Sequence, residues 1–224
     1  MSYHKKILIL ASSRKTSGRC VAGRELRGST EWIRPVSSRP TAEVSLDERR
    51  YEDGQDPQLL DVVRIQFKSA EPKEHQVENH VIDADFYWQK VRQGTWDEAV
   101  QCVDNNVPSL WGVGSSTYYG RNDRVPEHGL NSHQHSLRLI GPLNVTLKVV
   151  KEGEEFGNGK RRVRAEFVFK GDMYDIVVTD PKVETEFLAK ANGSYEIGQV
   201  LLCVSLSEPW SGFAYKLVAG IIRP

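Results

Sequence analysis

A mainly β fold is what this sequence predicts, and three observations carry the prediction. Apolar and polar residues alternate with a period of two in short runs at both ends of the chain, the pattern of half-buried strands. Turns rich in Gly, Asp and Asn separate these runs. A helix-start signal follows the third run in each set. With 224 residues, 39 % of them hydrophobic and 27 % charged, the chain can bury a core in one large or two small domains and is not disordered by composition.

In chain order, residues 6–12 read as a first strand, 18–26 as a second and 31–36 as a third. Ser45-Leu46-Asp47-Glu48 is a capping box, Ser followed three residues later by Glu, and opens a short helix. Residues 61–67 form the fourth strand, where Val63, Ile65 and Phe67 alternate with Val62, Arg64 and Gln66. Residues 77–82 form the fifth. The order strand, strand, strand, helix, strand, strand is that of an OB-like Greek-key barrel, and an SH3-like barrel lacks a true helix at that point.

The same order returns near the end of the chain. Leu143, Val145, Leu147 and Val149 alternate with polar residues, a polar Gly-rich turn follows over 152–159, and Val163, Ala165, Phe167 and Phe169 form the next strand. Lys170-Gly171-Asp172 is a tight hairpin turn into Tyr174, Ile176 and Val178. Asp180-Pro181 is an N-cap followed by Pro at the first helical position. Val183, Phe187 and Ala191 share one helical face, and Asn192-Gly193 is the stop signal. Residues 200–206 and 215–222 are the last two strands.

The predicted organisation is thus mainly β: two tandem OB-like Greek-key barrels, 1–83 and 138–224, with short helices and a connecting segment, 84–137. In that segment Thr95-Trp96-Asp97-Glu98 is a second capping box, opening a helix with Trp96, Val100 and Val103 on one side. Residues 111–134 are irregular. A stretch of that length is commonly functional or disordered, and its aromatic residues favour order.

Several segments are similar to a known family. Ser12-Ser13-Arg14-Lys15, then Gly18-Arg19-Cys20-Val21-Ala22-Gly23 and Trp32-Ile33-Arg34-Pro35-Val36-Ser37, resemble the opening of bacterial dual OB-containing domain proteins. Thr179-Asp180-Pro181, Leu202-Cys203-Val204-Ser205-Leu206 and Tyr215-Lys216-Leu217-Val218-Ala219 resemble the family's closing pattern. The resemblance spans nearly the whole chain. It implies two OB modules and, by fold analogy, nucleic-acid binding; it implies no catalytic signature.

Lys plus Arg and Asp plus Glu are both 30, which excludes a uniformly basic, histone-like binder. The charges are unevenly placed. Residues 1–40 carry a net of +7, residues 41–110 a net of −8, and the remainder +1. A basic first barrel can hold phosphates; alternatively, the acidic segment packs beside it and neutralises it. An OB barrel holds single strands by stacking bases on aromatic faces and pairing phosphates with cations. The candidate nucleic-acid contacts are Arg14, Lys15, Arg19, Arg24, Trp32 and Arg34 in the first barrel, and Tyr118, Tyr119, Arg121 and Arg124 in the irregular segment. Trp32 and Arg34 share one face of their strand, either as a stacking plane with a donor or as a core Trp with an Arg drawn inward to a carboxylate. Arg14 and Lys15, in a loop expected over 12–18, are expected beside them and near Tyr118 and Arg121.

Trp210 and Phe213, in the last turn, are candidate anchors for a protein partner. No metal site or cofactor is expected: His128, His133 and His135 lack a Cys pair or carboxylate placed to complete a site. Cys20, Cys102 and Cys203 form no CxxC and suit a reducing compartment. No apolar run reaches the length of a membrane span, and a cytoplasmic location is expected. The leading functional expectation is a module for single-stranded or irregular nucleic acid, DNA or RNA, accessory to a larger bacterial system. The alternatives are a protein-interaction scaffold, and a nucleotide-binding protein or enzyme with a site between the barrels.

Overall fold

The computed structural model describes residues 2–26, 31–132 and 135–224. The chain divides into two compact units, 1–102 with 134–136, and 103–133 with 137–224. The predicted connecting segment is therefore shared between the two units. Among the described residues no helix is long and apolar enough to cross a membrane.

The first unit holds β1 (Tyr3–Lys15), β2 (Gly18–Glu25), β3 (Trp32–Val36), α1 (Leu46–Arg49), β4 (Asp61–Ala70), β5 (Asn79–Ile82), β6 (Gln89–Gln93) and α2 (Trp96–Gln101). The strands run β1-β2-β3-β5-β4, and β4 returns to pair with β1, closing a five-stranded barrel. Closure is a ladder of six pairs, from Tyr3 opposite Phe67 to Leu8 opposite Val62. β3 and β5 are parallel, and the other neighbours are antiparallel. Ile7, Ile9, Val21, Ile33, Val63, Ile65 and Phe67 fill the barrel. β1 bulges between Ile9 and Ala11. At Gly23 a β-carbon would collide with the Leu8 carbonyl, so only glycine lets β1 and β2 pass this closely.

Both predicted capping boxes are present. The Ser45 hydroxyl accepts the Glu48 N–H at 3.3 Å, and Glu48 accepts the Ser45 N–H at 2.8 Å. Thr95 and Glu98 repeat this at 3.2 and 3.0 Å. β6 lies outside the predicted elements. All its residues are exposed, so no apolar alternation marks it, and its backbone pairs with β4 from Asp61–Gln93 to Arg64–Gln89.

The second unit holds β7 (Arg124–Pro126), β8 (Leu137–Glu152), β9 (Lys160–Phe169), β10 (Asp172–Val177), α3 (Pro181–Leu188), β11 (Gly193–Leu206) and β12 (Phe213–Ile222). Its sheet runs β10-β9-β8-β11-β12-β7 and curls into a half-barrel. Val178, just past β10, makes a single parallel bridge to Val218 on β12, and the Thr179 N–H donates to the Val218 carbonyl at 2.9 Å. Val145, Leu147, Val163, Ala165, Phe167, Tyr174, Phe187, Leu202 and Val218 form the core. The β9–β10 hairpin turns at Lys170 and Gly171 with φ of 53° and 88°, as the sequence predicts. Asp180 caps α3, accepting the Lys182 N–H at 3.0 Å. The helix ends at Leu188, before the predicted Asn192-Gly193 stop, and Ala191 is exposed. Arg161 on β9 covers this end. Its guanidinium donates to the Leu188 and Lys190 carbonyls at 2.9 and 2.5 Å and to the Asn192 side chain at 2.9 Å, satisfying the free carbonyls there.

Candidate nucleic-acid interface

In an OB barrel the face of the second and third strands and the loops at its rim receive ligands. In the second unit that face belongs to β9 and β10, and residues 111–123 are tied to it. Arg121 exchanges backbone hydrogen bonds with Asp175, at 3.1 and 2.9 Å. The Asn122 side chain donates to the Met173 carbonyl at 2.9 Å and accepts the Gly114 N–H at 2.6 Å. Asp123 accepts the Thr117 N–H at 2.7 Å, the Thr117 hydroxyl at 2.5 Å and the Arg164 guanidinium at 3.1 Å. The predicted ordered loop is thus held by its own Asn and Asp side chains.

Arg164, on β9, is buried and also binds Asp175 at 2.5 Å and Glu152 at 3.1 Å. Lys148 bonds Asp175, and pairs with Glu166 at 3.1 Å. Lys216 is 1 % exposed and donates to the Gly112 carbonyl at 2.8 Å. Burial drives its ammonium down to about 8, against the opposing pull of Asp123 and Asp172. A side chain at Gly120 would collide with the Asp123 carboxylate and Arg164. Arg164 and Lys148 are therefore spent on the protein's own carboxylates, and Lys216 on a backbone carbonyl.

Two aromatic rings remain open to solvent. Tyr118 is 78 % exposed and Phe156, in the β8–β9 loop, is 64 % exposed. Tyr118 packs edge-on against Tyr119 at 4.9 Å and Phe156 at 5.8 Å between ring centroids. The Gly153 N–H donates to the Tyr119 hydroxyl at 2.7 Å, which ties the ring beneath Tyr118 to the start of the β8–β9 loop. Arg121 is exposed beside Met173, its guanidinium 3.6 Å from the sulfur. Phe156 is a functional candidate that the sequence reading missed. The available signal was an aromatic residue inside the polar Glu154-Glu155-Phe156-Gly157 turn, where no core can receive it.

Arg124 is half-buried and stacks on Phe213, 3.9 Å from the ring centroid. Two residues predicted for separate roles, a nucleic-acid contact and a partner anchor, thus engage each other. Trp210 is 71 % exposed, on the loop between β11 and β12.

In the first unit, β1 and β2 pair out to Lys15–Gly18, so the expected 12–18 loop shrinks to a turn at Thr16 and Ser17. The ladder, not apolar patterning, extends β1 through its polar end. Arg14 is exposed and faces Arg19 across the ladder; Arg19 and Lys15 are half-buried. Arg24, Trp32 and Arg34 are all buried. Arg24 lies over the Trp32 ring at 4.4 Å. Arg34 pairs with Glu78 at 3.1 Å and donates to the Ser136 hydroxyl at 2.7 Å, and that hydroxyl bonds Glu78 in turn. The reading of Trp32 and Arg34 as an open stacking plane with a phosphate donor is corrected: Glu78 has drawn the guanidinium inward. Burial would raise the Glu78 carboxyl, but His135, Arg34 and Ser136 together hold it down at about 2.

Part of the +7 segment is thus neutralised by the acidic one. Besides the Arg34–Glu78 pair, Arg39 meets Glu43 at 3.7 Å and Glu48 at 3.3 Å. The expected convergence of Arg14 and Arg34 fails, because Arg14 is exposed and Arg34 is enclosed. His133, one of the three clustered histidines, lies outside the described residues.

The model of the dual OB-containing domain family matches residues 5–221, and the chain belongs to that family. No curated protein and no solved structure matches it.

Proposed function

We propose that this member of the dual OB-containing domain family binds single-stranded or unpaired nucleic acid, as an accessory module of a larger bacterial nucleic-acid system. One observation carries the reading: Tyr118 and Phe156 stand 78 % and 64 % exposed, in edge contact, at the rim where an OB barrel takes oligonucleotides. Exposed rings held in place are stacking platforms for bases. Arg121, exposed on the same loop as Tyr118, supplies a guanidinium for phosphate.

Fluorescence anisotropy with labelled single-stranded DNA and RNA tests the reading. The expected result is binding that weakens with added salt. Tyr118→Ala and Phe156→Ala should each lose about tenfold, within the roughly 1–3 kcal/mol of a base stack, with an unchanged thermal midpoint. Absence of salt-sensitive binding at low ionic strength would remove it. Trp210, 71 % exposed, supports a second reading as a protein-interaction scaffold. A partner that survives nuclease treatment and is lost in Trp210→Ala would favour that reading.

A further inference from the structure

The first unit carries a groove of about 850 Å³ that the nucleic-acid reading does not use. Tyr51, past α1, and Trp88, before β6, form a parallel bridge that brings two segments side by side. The buried Tyr51 and Trp88 side chains are the floor. Phe86 and Tyr87 form a wall and are 56 % and 49 % exposed. The opposite turn is rigid: the Gly54 N–H donates to the Tyr51 carbonyl at 2.9 Å, the Tyr51 N–H to the Gln55 carbonyl at 2.9 Å, and the Gln55 N–H to the Asp53 carboxylate at 2.9 Å.

Carboxylates outnumber cations in the lining. Glu52, Asp53 and Asp85 line the groove, and among the described residues no lysine or arginine stands within ion-pair distance of any of them. Lys90, the cation at the rim, is committed to the buried Asp61 at 2.7 Å. The structure also shows what these rings accept. The guanidinium of Arg50 lies over Tyr87, 5.8 Å from the ring centroid. Carboxylates beside exposed aromatic faces favour cations and repel phosphate, so this groove does not serve a nucleic-acid strand.

We propose that the groove docks an extended, arginine-containing segment of a partner protein, with guanidinium groups on Phe86 and Tyr87 and ion pairs to Asp53 and Asp85. The volume is that of a site for a multi-group ligand rather than one ion, and its carboxylates lie on both bridged segments, which suits a chain with repeated cations. The proposal is independent of the nucleic-acid reading.

The test uses the full chain and a short fluorescein-labelled peptide of alternating arginine and alanine, with an alternating glutamate peptide as control. The arginine peptide should bind and the glutamate peptide should not. Asp53→Asn with Asp85→Asn should weaken binding about tenfold, and Phe86→Ala with Tyr87→Ala by a similar factor. Thermal midpoints and oligonucleotide binding should stay at wild-type values, because these side chains are exposed. Undetectable peptide binding at low salt, or wild-type affinity in either double variant, overturns the proposal. Free spermine displacing the peptide at equal molar affinity also overturns it, by assigning the groove to small polyamines.

Discussion

The two barrels share a connectivity and differ in how they close. In the first, six residue pairs join β1 to β4, and three parallel pairs join β3 to β5. In the second, one bridge between Val178 and Val218 joins the end of β10 to β12. Backbone ladders hold the first barrel shut. In the second, where the ladder is short, Arg164 gathers Asp123, Glu152 and Asp175 and so ties β8, β9, β10 and the 111–123 loop together. The first hairpins differ in kind too. The β1–β2 turn is tight and basic, whereas the β8–β9 loop is longer and aromatic. One topology thus presents two surface chemistries, because the fold constrains the strands and leaves the loops free.

The largest way to break this contrast is to remove the ion-pair hub. Arg164→Ala leaves three carboxylates poorly compensated, Asp123, Glu152 and Asp175, all buried. The expected loss is at least the 3–5 kcal/mol, roughly, of a broken buried pair, read as a lower urea midpoint. Arg34→Ala strands one carboxylate, Glu78, which keeps its contacts to Ser136 and His135. Its loss should fall at the lower end of the same range. A greater loss from Arg34→Ala would overturn the view that the second unit depends more on charge.

The two units should also answer pH in different windows. Glu78 is held at about 2 against an ordinary 4.5. The folded state binds this proton more weakly than the unfolded chain, so the stabilisation is complete above 4.5 and disappears as pH falls toward 2. Lys216 is held at about 8 against an ordinary 10.5. Between those values the unfolded chain retains a proton that the folded state has shed, so stability rises with pH across that window. Each contribution is of the order of 3 kcal/mol. Urea midpoints measured against pH should show a falling acid limb that Glu78→Gln flattens, and a rising alkaline component that Lys216→Met flattens. If neither variant changes its limb, these groups do not set the pH response.

Much of this fold is legible in the sequence because its strands alternate and its helices carry caps. Ser45 with Glu48, Thr95 with Glu98, and Asp180 before Pro181 identify α1, α2 and α3. Strands without apolar alternation are not legible: β6 is wholly exposed, and the start of β11 is polar. Their order comes from backbone pairing with distant residues, which a local pattern does not encode. The surface placement of the candidate residues was legible in part. Tyr118 and Arg121 stand on the surface of the loop whose composition indicated them. Trp32 and Arg34 were ambiguous, because a Trp-x-Arg pair on one strand face reads the same whether it meets solvent or a partner such as Glu78, 44 residues further along the chain.

The smallest expected effect distinguishes a surface cation from an enclosed one. Each phosphate contact on a single strand contributes about 0.7 to the slope of log affinity against log salt. Arg121 is exposed on the loop that carries Tyr118, and Arg14 is exposed near the tip of the first hairpin. Arg121→Ala and Arg14→Ala should each lower the slope by about 0.7 to 1, with little change in folding, because neither guanidinium is buried. Arg34→Ala removes the same formal charge from a site enclosed by Glu78 and Ser136. After correction for its unfolded fraction, its slope should equal that of the wild type. Anisotropy titrations at several salt concentrations read all three. A lowered slope in Arg34→Ala alone would return the first barrel's strand face to the interface and remove the division between stacking rim and enclosed cations.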